Sequence, residues 1–151
     1  MSVPAVQPAR RDVTIAVIGH PYLLYDEYLN HRLIHRLEKE SAGVLTPEML
    51  SDDELETASV RLAGTTYWTY GEEVVGAGEH YLQKGVDGII GVLTFGCGPD
   101  SLMMEMVRRK AARLKNTPFM SLTLDEHTAE TGIITRLEAF LDMIKRKKRG
   151  V

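Results

Sequence analysis

Asp87-Gly88-Ile89-Ile90-Gly91-Val92-Leu93-Thr94-Phe95 is the stretch on which the fold turns. Its apolar residues run continuously instead of alternating with polar ones, and many are β-branched. A strand of that kind is apolar on both faces, as a central strand of a parallel sheet must be when helices cover both sides. Gly96-Cys97-Gly98-Pro99-Asp100-Ser101 stops it, and a helical pattern follows over 102–114. There Met103, Met106, Val107 and Leu114 share a face, with Arg108, Arg109 and Arg113 on others; the methionines read as core filler.

The same alternation extends in both directions. Val13-Thr14-Ile15-Ala16-Val17-Ile18 is a short buried strand ended by Gly19-His20-Pro21. Leu29, Leu33, Ile34 and Leu37 recur at helical spacing and predict one helix over 25–40. A second strand is expected at 43–46, closed by Pro47. Ser51-Asp52-Asp53-Glu54 then starts a weakly helical stretch, with a cap residue and early carboxylates. After Tyr67-Trp68-Thr69-Tyr70 a helix is expected over 71–84, packed through Val74, Val75, Ala77, Gly78, Tyr81 and Leu82. Gly71, Ala77 and Gly78 leave room for a close neighbour. Pro118-Phe119-Met120-Ser121-Leu122-Thr123-Leu124 is the fourth strand. The last helix, over 130–147, turns Ile133, Ile134, Leu137, Phe140, Leu141 and Ile144 inward. Strand–helix repeated four times implies parallel strands with right-handed crossovers. The expectation is a three-layer, flavodoxin-like α/β domain with a four-stranded parallel sheet over 13–145. A flexible lead over 1–12 and a basic tail over 146–151 flank it.

Length and composition agree with one globular domain: 151 residues, 44% hydrophobic and 26% charged. The formal charge is −3, but Lys145-Arg146-Lys147-Lys148-Arg149 holds five of the 18 basic residues, leaving 13 against 21 acidic ones, or −8, for the rest. Such a body does not attract nucleic acid through its general field. The basic run reads as a solvated helix end whose cations complement the helix dipole. No segment has the ~18 apolar residues of a membrane helix, and 1–12 lacks the apolar stretch of a secretory signal. One cysteine excludes an internal disulfide, so a reducing, cytoplasmic location is expected, with Cys97 acting as a thiol or a ligand.

In open parallel sheets ligands bind outside the carboxyl ends of the strands. That rule gathers His20 and Tyr22, then Glu48, then Gly96, Cys97, Gly98, Asp100 and Ser101, then Asp125, Glu126 and His127 on one rim. Cys97 lies between two glycines at a helix start, where the backbone turns tightly and a thiolate is favoured for metal binding or attack; an inert buried cysteine is the alternative. Asp100 or Ser101 reads equally well as the helix N-cap. His20 and His127 are candidate metal ligands or packed histidines. Tyr67, Trp68 and Tyr70 read as core, or as a wall for a planar group. There is no P-loop and no dinucleotide fingerprint, and no nucleophile–base pair stands out, so the catalytic residues, if any, are unknown.

Gly19-His20-Pro21-Tyr22, Tyr67-Trp68-Thr69-Tyr70-Gly71, Phe95-Gly96-Cys97-Gly98-Pro99-Asp100-Ser101, Leu124-Asp125-Glu126-His127-Thr128 and Thr135-Arg136-Leu137-Glu138-Ala139-Phe140 resemble the acyl-CoA dehydratase activase-related (CoA protein activase) family. The resemblance spans roughly 13–144. It extends more distantly to the last domain of the iron–sulfur subunits of 2-hydroxyacyl-CoA dehydratases. In that wider family the cysteine of this loop is one of several thiolates holding an iron–sulfur cluster between flavodoxin-like domains. Carried over, Cys97 is one ligand. A four-iron cluster ordinarily takes four thiolates, and this chain has one cysteine. The remaining ligands would come from cysteine-bearing N-terminal domains or a companion subunit, with an ATP-dependent activase as a further partner. No cluster is expected on the chain alone.

Three functions follow. The first is a cluster-bearing redox module of a dehydratase or reductase system, not an independent enzyme. The second is a non-catalytic assembly or small-ligand-binding domain that has lost the cluster, its rim taking a small anion or a CoA-like group. The third is a mononuclear zinc-type site made by Cys97, His20 and His127.

Overall fold

The computed structural model describes residues 11–64, 69–114, 116–125 and 127–150. Tyr67, Trp68 and Glu126, and the lead over 1–10, lie outside the described residues.

Four strands form one parallel sheet: β1 (Val13–Ile18), β2 (Ala42–Leu45), β3 (Gly88–Thr94) and β4 (Phe119–Leu124). Their order is β2-β1-β3-β4, with Ile15 opposite Val44 on one side of β1 and Ile18 opposite Gly91 on the other. β3 pairs in turn with β4, Val92 opposite Leu122. Six helices cover the sheet: α1 (Pro21–Tyr25), α2 (Leu33–Lys39), α3 (Asp52–Ala63), α4 (Thr69–Lys84), α5 (Gly98–Arg113) and α6 (Glu130–Lys148). This is the three-layer, flavodoxin-like α/β architecture read from the sequence.

The period of two along β1 divides the interior. Ile15 and Val17 point into a core shared with α1, α2 and α6, through Leu23, Leu33, Leu37, Leu137 and Phe140. Ala16 and Ile18 point the other way, to Leu55, Val74, Val75, Leu82, Met103 and Val107 of α3, α4 and α5. Both faces of the central strands β1 and β3 are therefore covered, which is why β3 has to be apolar throughout, while the edge strand β4 leaves Ser121 and Thr123 exposed. Glycine sets the helix spacing on the second face. A Cβ on Gly78 would lie 2.7 Å from Val107, and one on Gly76 would collide with the Leu55 backbone.

Three sequence expectations change. The helix expected over 25–40 shrinks to α2 at Leu33–Lys39, with α1 ending at Tyr25 and turns between them, because Asn30 breaks the run. The Asn30 amide donates to the carbonyls of Leu23 and Leu24 at 2.7 and 2.9 Å, and its oxygen accepts from Leu33 N–H. His31 and Arg32 then take left-handed φ values of 55° and 60°. α5 starts at Gly98 rather than at residue 102, since Pro99 fits the first helical turn, where no N–H is required. Met104, not Met106, is the second methionine fully in the core. The basic run forms the last turn of α6, where Lys145 and Lys147 donate to the carbonyls of Glu40 and Asn116 and Lys148 pairs with Asp87 at 3.0 Å.

Candidate functional site at the strand ends

Every strand enters its loop at the same edge, so the loops after β1, β2, β3 and β4 share one rim. His20 follows β1, Glu48 lies in the single helical turn Pro47–Met49 after β2, Cys97 follows β3, and Asp125 and His127 follow β4. The strand-end rule therefore assembles these residues as the sequence suggested.

The β3 loop is built by its glycines. Gly96 has φ 83°, a left-handed value that glycine adopts without strain, and the turn brings Cys97 N–H to 3.5 Å from the Thr94 carbonyl. Cys97 is the N-cap of α5, with extended backbone and no side-chain capping bond. Asp100 and Ser101 are thus inside the helix, and neither is its N-cap; the Ser101 hydroxyl donates back to the Cys97 carbonyl at 2.9 Å. Among the described residues nothing lies within 4 Å of where side chains on Gly96 or Gly98 would begin. Cys97 itself is half-buried.

Asp100 turns away from the helix end to His20. Nε2 of His20 and Oδ1 of Asp100 are 2.8 Å apart, with Asp100 only 5% exposed. The Tyr22 ring stacks on the His20 imidazole at 5.8 Å between centroids and 8° between planes. Tyr25 of α1 donates a hydrogen bond to Glu48, tying the β1 and β2 loops. Glu73 in the first turns of α4 also belongs here: burial pushes its carboxyl above the ordinary value, His20 opposes the rise and Glu48 adds to it. Sequence reading missed Glu73, although a crossover helix leading into β3 must begin at this rim. It read Tyr81 only as packing, whereas its hydroxyl donates to the Thr46 carbonyl at 2.7 Å, and it missed the buried Thr46 hydroxyl, which has no hydrogen-bond partner among the described residues.

Asp125 and His127 sit farther along the rim. Asp125 Oδ1 accepts from His127 N–H at 2.8 Å and from the Thr128 hydroxyl at 3.1 Å, which closes the turn into α6. Together with Glu27, Tyr28, Arg32 and Glu130, Asp125 lines an open groove of about 470 Å³. Among the described residues no three of His, Cys, Asp and Glu are placed to hold one metal ion. Cys97, His20 and His127 share an edge without forming a ligand set. No family model matches the chain, and no curated protein matches it closely enough to count as a relative.

Proposed function

We propose that this chain is a one-ligand domain of an iron–sulfur redox assembly of the 2-hydroxyacyl-CoA dehydratase and activase kind. Cys97 contributes one thiolate, and cysteine-bearing domains or a companion chain contribute the others. An ATP-dependent activase is the further partner. The observation that carries this reading is the Cys97 loop: a half-buried thiol at a helix N-cap, flanked by two exposed glycines that no other described residue crowds. That arrangement lets another surface come up to the sulfur.

A four-iron cluster bound by this chain alone does not fit, because such a cluster ordinarily takes four thiolates and the sequence supplies a single cysteine. One ligand among several does fit. The zinc reading gains no support, since among the described residues Cys97, His20 and His127 are not placed as one ligand set. The small-ligand reading has one observation behind it, the groove beside Asp125.

The test is anaerobic co-production with a cysteine-bearing companion, followed by iron and sulfide analysis of the purified complex. Iron and sulfide that are present with the native chain and lost with Cys97→Ser support the proposal. Equal iron in both complexes overturns it.

A further inference from the structure

We infer that the strand-end rim is a docking face for a protein surface with an apolar centre and a border of lysines and arginines. That the docked protein carries the missing cysteines rests on the function proposed above; the surface itself does not.

Eight large apolar or aromatic side chains are exposed among the described residues, and six of them follow a strand's carboxyl end: Tyr22, Tyr25, Tyr28, Met49, Phe95 and Leu102. Phe95 is 79% exposed and Leu102 63%, and these two bracket Cys97 in sequence. Single exposed apolar residues scattered over a surface need no explanation, but their concentration at one edge does. Aromatic residues and methionine are the side chains enriched at the centres of protein interfaces. The His20–Asp100 pair and the Tyr25–Glu48 bond hold three of the loops together before any partner arrives, so little ordering remains for binding.

Charge selects the occupant. Glu27, Glu48, Asp52, Glu72, Glu73 and Asp125 all stand at this edge, with Arg32 among them, whereas Lys145, Lys147 and Lys148 sit at the opposite edge. An acidic border repels nucleic acid and anionic lipid surfaces. It also repels the same face of a second copy. A cation-bordered protein surface is what remains complementary.

The experiment measures, by calorimetry, binding of the purified chain to the cysteine-bearing companion, with circular dichroism to show that each variant is folded. Phe95→Asp and Leu102→Glu are expected to weaken binding by at least about tenfold. Met143→Asp, on the exposed side of α6, is expected to leave it unchanged. Native binding should also weaken as salt is raised from about 0.05 to about 0.3 M. Rim variants that bind like the native chain, a loss of equal size with Met143→Asp, or a Phe95-dependent dimer of the chain itself would overturn the inference. The two proposals fail separately. Rim-dependent binding with iron indifferent to Cys97→Ser keeps the docking face and removes the cluster role. Iron lost with Cys97→Ser while rim variants bind normally does the reverse.

Discussion

His20 Nε2 stands 2.8 Å from Oδ1 of Asp100, joining the loop after β1 to the first turn of α5 across 80 residues of chain. The pair is nearly out of solvent, with side-chain exposures of 13% and 7%. It anchors the helix whose N-cap is Cys97, so the direction in which the thiol is presented depends on it.

Removing either partner takes a hydrogen bond out of a largely buried site. His20→Ala and Asp100→Ala are each expected to lower stability by about 1–3 kcal/mol. The double variant should lose less than the sum, with a coupling of about 0.5–3 kcal/mol in a denaturant double-mutant cycle. Strict additivity would show that the two side chains do not support each other.

Glu79 on α4 is fully buried, yet its cations are distant: Arg61 Nη1 at 3.8 Å and Lys110 Nζ at 3.9 Å. Gln83 donates to one carboxylate oxygen at 3.0 Å, and the other has no hydrogen-bond partner among the described residues. Because Arg61 and Lys110 both reach solvent, taking away the carboxylate strands no buried charge. Glu79→Gln should therefore stay within about 1 kcal/mol of the native stability, or exceed it. Glu79→Ala, which leaves a void between three helices, should lose about 1–3 kcal/mol. Urea midpoints separate the two cases. A Gln variant as weak as the Ala variant would mean that the charge itself holds α3, α4 and α5 together.

Burial, helped by Glu48 and Glu54, pushes the Tyr81 hydroxyl from an ordinary 10 up to about 12. The folded chain then keeps a proton that the unfolded chain releases. Its contribution is complete below about pH 10 and is lost as pH rises from there toward about 12. Tyr81→Phe should flatten this part of the pH–stability profile. It should also lower neutral-pH stability by about 1 kcal/mol, because the Thr46 carbonyl loses its donor. A variant profile parallel to the native one would contradict the assignment.

What the sequence reveals of this molecule follows the range of the interactions. All four strands are legible to within a residue: a parallel strand buried on both faces leaves a run with no charged residue, as in Ile89 to Thr94, and the edge strand β4 shows as a short run after Pro118. The rim follows from the same reading, since strand direction alone puts His20, Cys97 and Asp125 on one edge. The break at Asn30 is local chemistry: a side-chain amide replaces backbone partners, and leucine spacing across 29–37 hides it. The partnership of His20 with Asp100 and the burial of Glu79 and Thr46 depend on contacts made only in three dimensions. No pattern along the chain encodes them.

The Cys97 proposal is tested most directly by the reactivity of its one thiol in the folded chain, measured as the rate of alkylation by iodoacetamide with and without denaturant. An accessible ligand position between two open glycines predicts complete labelling of folded protein, at a rate within about tenfold of the unfolded chain. It also predicts that Cys97→Ser leaves the unfolding midpoint nearly unchanged, since Gly96 and not sulfur shapes the turn. A Cys97 that reacts only when the chain is unfolded would make it a packing residue and remove the basis for its role as a ligand.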